Sequence, residues 1–171
     1  VMLTSAAFML LIGLQGGSTT TLASSEPCSA DADAVCHYET AQLCAAPGQP
    51  PMQVEIADTP AKRERGLMFR ESLADHHGMW FVYQSERPSY AGFWMFNTKL
   101  PLDIAYLDQS MTVVKVFTMR PCTSVNPRNC PAYRPGETYW GALEMPAGYF
   151  ERHGIQQGSQ LQQCKTQENN R

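Results

Sequence analysis

Apolar and polar residues alternate along much of this chain, in short runs separated by turn-forming residues. In MQVEIAD (52–58), Val54 and Ile56 fall on one face and Gln53, Glu55 and Ala57 on the other, the mark of a strand. Thr59-Pro60 then places a capping side chain before a proline suited to the first helical turn, and Gly66 stops the short helix AKRERG (61–66). Leu67, Met68 and Phe69 should tuck into the core. MWFVYQ (79–84), FWMFN (93–97), LDIAYLD (102–108) and MTVVKVFTM (111–119) read as successive strands, the last two joined as a hairpin through Asp108-Gln109-Ser110. TYWGALEM (138–145) is a further strand, AGYFERHG (147–154) a single helical segment closed by Gly154, and SQLQQC (159–164) a last short strand.

Six or seven short strands with two or three brief helices predict an α+β, mainly β fold, built as a partly closed barrel or as packed small sheets. No βαβ alternation is visible, which argues against a doubly wound sheet. The rest of the chain divides around this body. Residues 1–23 predict a signal peptide: AAFMLLIGL (6–14) is apolar but too short to span a bilayer, and Thr21-Leu22-Ala23 supplies a cleavage pattern, although no Lys or Arg precedes the apolar stretch. Residues 24–51, rich in Ser, Ala, Pro and Gly, predict a Cys-containing linker or arm. Residues 52–164 predict a single β-rich domain, and residues 165–171 a disordered tail. No later stretch is apolar and long enough for a membrane span, so an exported, periplasmic or extracellular protein is expected.

Composition narrows the picture in two respects. Hydrophobic residues make up 43% and charged residues 17%, which excludes a disordered tail or a coiled coil. The net charge is -3 and no Lys/Arg run exceeds Lys62-Arg63, so nucleic acid, whose phosphates demand clustered cations, is not an expected partner. The 6 cysteines, an even number, suggest disulfides once the chain is exported. Cys122 and Cys130 bracket a turn-rich loop and form the expected pair, worth about 2.6 kcal/mol in the chain-entropy picture. A bond from Cys44 or Cys36 to Cys164 would tie the two ends of the domain together, worth roughly 5 kcal/mol in the same picture. No Cys-x-x-Cys pair occurs, so no zinc site is expected.

RGLMFRESL (65–73), GMWFVY (78–83), FWMFNTKLPLDIAYLD (93–108), Pro121-Cys122, CPAY (130–133) and ALEMPAGYFERHGI (142–155) together resemble the prokaryotic family known as domain of unknown function 192. The resemblance runs over roughly residues 52–163 and implies a compact β-rich domain, often exported, whose biochemical role is not established. The family tends to carry a basic residue where Phe96 stands; here Lys99 follows three positions later.

Candidate chemistry centres on the polar residues embedded in apolar strands. Asn97, Thr98 and Asp103 sit beside Trp94 and could face a polar ligand, or could serve nearby backbone instead. With Glu144 and Arg70 they make the expected lining of a pocket for a small polar or glycan ligand in a non-catalytic binding domain. Asp103 and Glu144 also raise an alternative, a cell-envelope glycan hydrolase using the two as an acid/base pair. A second alternative is periplasmic copper binding by His76, His77, Met68, Met79, Met95, Met119 and Met145, residue types that also fill loops and cores. Trp80, Phe93, Trp94, Tyr139 and Trp140 could form a stacking platform or simply pack inside. No phosphate loop, Gly-x-Ser-x-Gly or His-Glu-x-x-His motif is present, so no cofactor and no nucleophile is predicted.

Overall fold

The computed structural model of the chain describes residues 28–32 and 35–164. The signal peptide expected at 1–23 and the tail expected at 165–171 lie outside those residues. In chain order the elements are β1 (Glu39–Cys44), β2 (Met52–Ala57), α1 (Pro60–Arg65), β3 (His77–Arg87), β4 (Phe93–Trp94), β5 (Leu102–Leu107), β6 (Val113–Met119), β7 (Ala132–Tyr133), β8 (Tyr139–Pro146), α2 (Tyr149–Arg152) and β9 (Gln162–Gln163). A curled half-barrel sheet runs β6-β5-β8-β3-β2-β1-β9, and β4 pairs with β7 in a separate ribbon. The fold is mainly β with two short helices.

Local chemistry accounts for most of these boundaries. The Thr59 hydroxyl accepts the Lys62 N–H at 3.3 Å, Pro60 occupies the first helical turn, and Gly66 leaves the helix at φ 47°. Asp108 caps the hairpin between β5 and β6 by accepting the N–H groups of Ser110 and Thr112, both at 2.8 Å. β5 is buried along its whole length and β8 along most of it, because both lie inside the sheet and both of their faces are covered.

Three features differ from the sequence expectation. The arm at 24–51 contributes β1, which pairs antiparallel with β2 from Glu39↔Ile56 to Leu43↔Met52. FWMFN supplies only the two-residue β4, since the chain leaves the extended conformation to turn at Asn97 (φ 55°). And one βαβ unit does exist: β2 and β3 run parallel, with α1 in the connection between them. A six-residue α1 that buries no side chain leaves no apolar periodicity to reveal the crossover.

Cys122 pairs with Cys130 as expected, and Cys164 pairs with Cys44, leaving Cys36 to Cys28. The Cys44–Cys164 bond clamps the edge where β9 pairs with β1. Three disulfides fit an oxidising environment. No helix among the described residues is long and apolar enough to cross a membrane.

The sheet separates two cores. Ala105, Leu107, Leu143 and Met145 pack on one face with Tyr149, Phe150, Ile155 and Leu161. Leu102, Ile104, Tyr106 and Ala142 pack on the other with Leu67, Phe81 and Met95. Strand alternation therefore assigns each residue of β5 and β8 to one side or the other.

A roofed pocket around a buried glutamate

The register of β5 on β8 decides how the embedded carboxylates are used. Ile104 pairs with Glu144 and Asp103 with Met145, so Glu144 shares a face with Ile104 while Asp103 points to the opposite side. Asp103 is 2% exposed and fully engaged: it accepts the Thr118 hydroxyl at 2.7 Å and the Phe150 N–H at 3.2 Å. It thereby ties β6 and the start of α2 to β5, beneath an open groove of about 430 Å³ that includes Lys115 and Gln156.

Glu144 is 4% exposed, and no donor among the described residues hydrogen-bonds its carboxyl; burial alone raises its pKa from 4.5 to about 8. It faces a cavity of about 40 Å³, room for a water or two, which is also walled by Thr98, Phe81, Phe93, Trp94 and Leu67. Two loops close over it. After Gly66 the chain inserts Leu67 and Met68 into the core, then passes through Phe69 at φ 64°. The second loop passes through Asn97 at φ 55°, and the Phe69 N–H donates to the Asn97 carbonyl at 2.8 Å. Phe69 in left-handed backbone is uncommon for a bulky residue, and its bond to Asn97 ties together the two loops whose neighbouring residues, Met68 and Thr98, line the cavity. Thr98 next to it is 7% exposed and donates its hydroxyl to the Phe96 carbonyl at 3.3 Å. Trp94 is 45% exposed at the rim, tilted against Phe96 with 5.7 Å between ring centres.

The floor depends on close backbone approach. A Cβ at Gly78 of β3 would overlap the Glu144 carbonyl and the Met145 sulfur, so only glycine lets β3 seat against β8 at this point. At Gly66 a Cβ would come within 3.3 Å of the Phe81 ring.

The structure therefore brings Trp94, Thr98 and Glu144 together, while Asn97 lies outside the cavity lining and joins its loop to Phe69 through its carbonyl. Arg70 lies elsewhere. Its guanidinium forks onto the Glu55 carboxylate, 2.9 Å from Nη1 to Oε1, inside a separate cavity of about 320 Å³ with Gln53 and His77. Asp103 is on the other face. An acid/base pair of Asp103 and Glu144 is accordingly not assembled, because a carboxylate on each side of a sheet cannot flank one bond. The copper alternative meets the same obstacle: Met145 packs in one core and Met79, Met95 and Met119 in the other. His76 is bound to the Tyr149 hydroxyl at 2.9 Å, and no group of three or more His, Cys, Asp or Glu among the described residues could hold a metal. The aromatic platform also divides, Trp80 packing on one core and Tyr139 sitting within the other. Lys99, the displaced basic residue, pairs with Glu71 at the surface.

The sequence reading missed Phe81 and the 66–68 turn as parts of the wall. The only signal was the placement of Leu67 and Met68 after a helix-stopping glycine, which marks a segment diving inward without saying over what.

A curled half-barrel sheet with a small roofed pocket on one face defines a small β-rich domain. Residues 43–163 match the family DUF192, described as "Uncharacterized ACR", and the chain belongs to that family. The UPF0127 protein TK1120 of Thermococcus kodakarensis is 28% identical over 116 residues, which is 68% of either chain. A solved structure from Sinorhizobium meliloti 1021, described as a "putative transcription regulator", matches with a TM-score of 0.66 at 30% identity, covering 75% of this chain and 97% of that one. A protein of unknown function from Novosphingobium aromaticivorans DSM 12444 matches with a TM-score of 0.58 at 27% identity, covering 72% and 84%.

Proposed function

We propose that this protein is an exported, non-catalytic binding domain whose pocket takes one small polar substituent of its ligand. Glu144 and Thr98 meet that substituent, and the remainder of the ligand, a small polar molecule or a glycan, lies outside across Trp94. The observation that carries this reading is the Glu144 side chain: 4% exposed, without a hydrogen-bond partner among the described residues, and opening on a small cavity beside two tied loops. Leaving such a group unpaired costs stability that an apolar side chain would not, and it is retained where binding or chemistry uses it. A cavity of about 40 Å³ holds a substituent and not a sugar ring, which is why the exposed face of Trp94 is assigned to the body of the ligand.

Export accords with three disulfides, since cytosolic thiols are kept reduced. The function named for the Sinorhizobium meliloti neighbour is not carried over, because a net charge of -3 without clustered cations offers nothing to a phosphate backbone.

Thermal shift and Trp fluorescence against sugars, peptidoglycan fragments and small polar compounds test the reading. The expected result is a response to at least one class that Thr98→Val and Glu144→Gln each reduce. A flat response to the whole panel, or one indifferent to both substitutions, would remove the role.

A further inference from the structure

We infer that the substituent taken by this pocket is a primary ammonium, held by the Glu144 carboxylate and the faces of Phe81, Phe93 and Trp94. This rests on the binding reading above and adds the chemical class of the ligand.

The inventory of donors and acceptors around the cavity is one-sided. Glu144 brings two acceptor oxygens, and the Thr98 hydroxyl, having given its proton to the Phe96 carbonyl, presents lone pairs. Of the donors in the wall, the guanidinium groups of Arg63 and Arg65 serve carbonyls elsewhere, and none among the described residues is bonded to Glu144. A carbonyl would use the Glu144 proton once and leave the other acceptors unmatched, and an alcohol would bring only one donor of its own. An ammonium carries three donors and no acceptor, and matches all of them.

The two cations at the wall are already engaged. Arg63 and Arg65 border the cavity, yet neither guanidinium serves Glu144. Arg63 donates to the carbonyls of Asp58 and Val82 at 2.7 and 2.9 Å and lies over the Tyr83 ring; Arg65 donates to the carbonyls of Asp31 and Ala32 and lies over Phe69. Glu64 adds a second, exposed carboxylate at the wall, and Tyr106 on β5 gives its proton to the Tyr133 carbonyl. The buried carboxyl thus has aromatic rings beside it and, among the described residues, no cation bonded to it, an arrangement in which a bound cation gains from both. The cavity volume sets the size: an ammonium with its first methylene fits about 40 Å³, and a trimethylammonium does not.

Binding also moves a proton. In the empty pocket burial keeps Glu144 protonated at neutral pH, its pKa standing at about 8. The incoming ammonium is itself charged, so Glu144 must ionise, and one proton leaves to the buffer for each amine bound. Amine affinity should therefore rise about tenfold per pH unit below pH 8 and level off above it.

The test is calorimetric titration of the full chain with n-propylammonium, n-propanol and tetramethylammonium, at pH 7 in two buffers of different ionisation heat, with Trp fluorescence recorded alongside. Expected are binding of n-propylammonium with release of about one proton, and at least tenfold weaker binding of the other two. Glu144→Gln should lose the amine by at least tenfold while keeping the circular dichroism of the parent and melting no lower than it does. Trp94→Ala, at an exposed position, provides a second variant and should weaken the amine several-fold. Equal binding of propanol and propylammonium, or amine binding with no proton released, would overturn the ammonium assignment and leave the pocket standing. Silence from all three probes in both heat and fluorescence would overturn the ammonium. The broader pocket reading would fall with it only if the sugar and peptidoglycan panel were silent as well.

Discussion

Asp103 and Glu144 occupy neighbouring central strands, one register step apart, and both are almost wholly buried. Their sequence settings, Leu-Asp-Ile and Leu-Glu-Met, are close to interchangeable. Their fates are opposite. On one face α2 and β6 deliver an N–H and a hydroxyl to Asp103, turning it into a tie between three elements. On the other face two loops roof Glu144 without giving it a donor. What a buried carboxylate does is therefore decided by what distant segments bring to it.

The pH dependence of stability is the largest handle on that contrast. Glu144 has a folded pKa of about 8 against 4.5 for the free group, so the folded state holds this proton more tightly than the unfolded chain. Its contribution is fully present below pH 4.5, declines as pH rises towards 8, and is then lost. Across that window the protein should lose on the order of 3–5 kcal/mol on account of this group. Glu144→Gln should remove that part of the slope, and urea unfolding of both proteins at pH 5, 7 and 9 measures it. Parallel pH profiles would mean that Glu144 is solvated or paired after all.

Asp103 should behave in the contrary way. Asp103→Ala leaves the buried Phe150 N–H without its acceptor and frees the Thr118 hydroxyl at the groove, and should cost about 2 kcal/mol at neutral pH. Thr118→Val removes only one donor and keeps the shape, and should cost about 1 kcal/mol. Chemical denaturation reads both. Were Asp103→Ala as mild as Glu144→Gln at neutral pH, the two faces would not differ in the manner described.

How far the sequence foretold this arrangement depends on how local each cause is. Alternation in MQVEIAD, the Thr59-Pro60 cap and the Asp108 hairpin act within a few residues, and β2, α1 and the β5–β6 pair came out where the pattern placed them. β1 was hidden because ETAQLC buries only Leu43 completely and lies among turn-forming residues, so its pairing with β2 supplies an order that its own pattern does not announce. FWMFN has the composition of a strand, but the left-handed turn at Asn97 that ends it is tied to Phe69, far away in sequence. Within the pocket, Trp94, Thr98 and Glu144 were readable as polar or amphipathic residues set in apolar runs. Arg70 and Asp103 looked the same by that criterion, and only the positions of Glu55 and Phe150 reveal that their polar groups are already spent.

Trp94 gives the smallest stability effect and the sharpest division between roof and core. At 45% exposure it contacts Phe96 at the rim, while Phe93 beside it packs edge-on against Phe81 and Tyr106. Trp94→Ala should therefore shift stability by no more than about 0.5 kcal/mol, the range usual for surface positions. Phe93→Ala removes a ring from the core and should cost about 3 kcal/mol. If Trp94 serves the ligand, the ranking inverts when binding is measured on folded protein: Trp94→Ala weakens the complex although the fold scarcely registers its loss. A Trp94→Ala protein as destabilised as Phe93→Ala would make the indole part of the architecture, and the pocket would have no outer surface on which a ligand could rest.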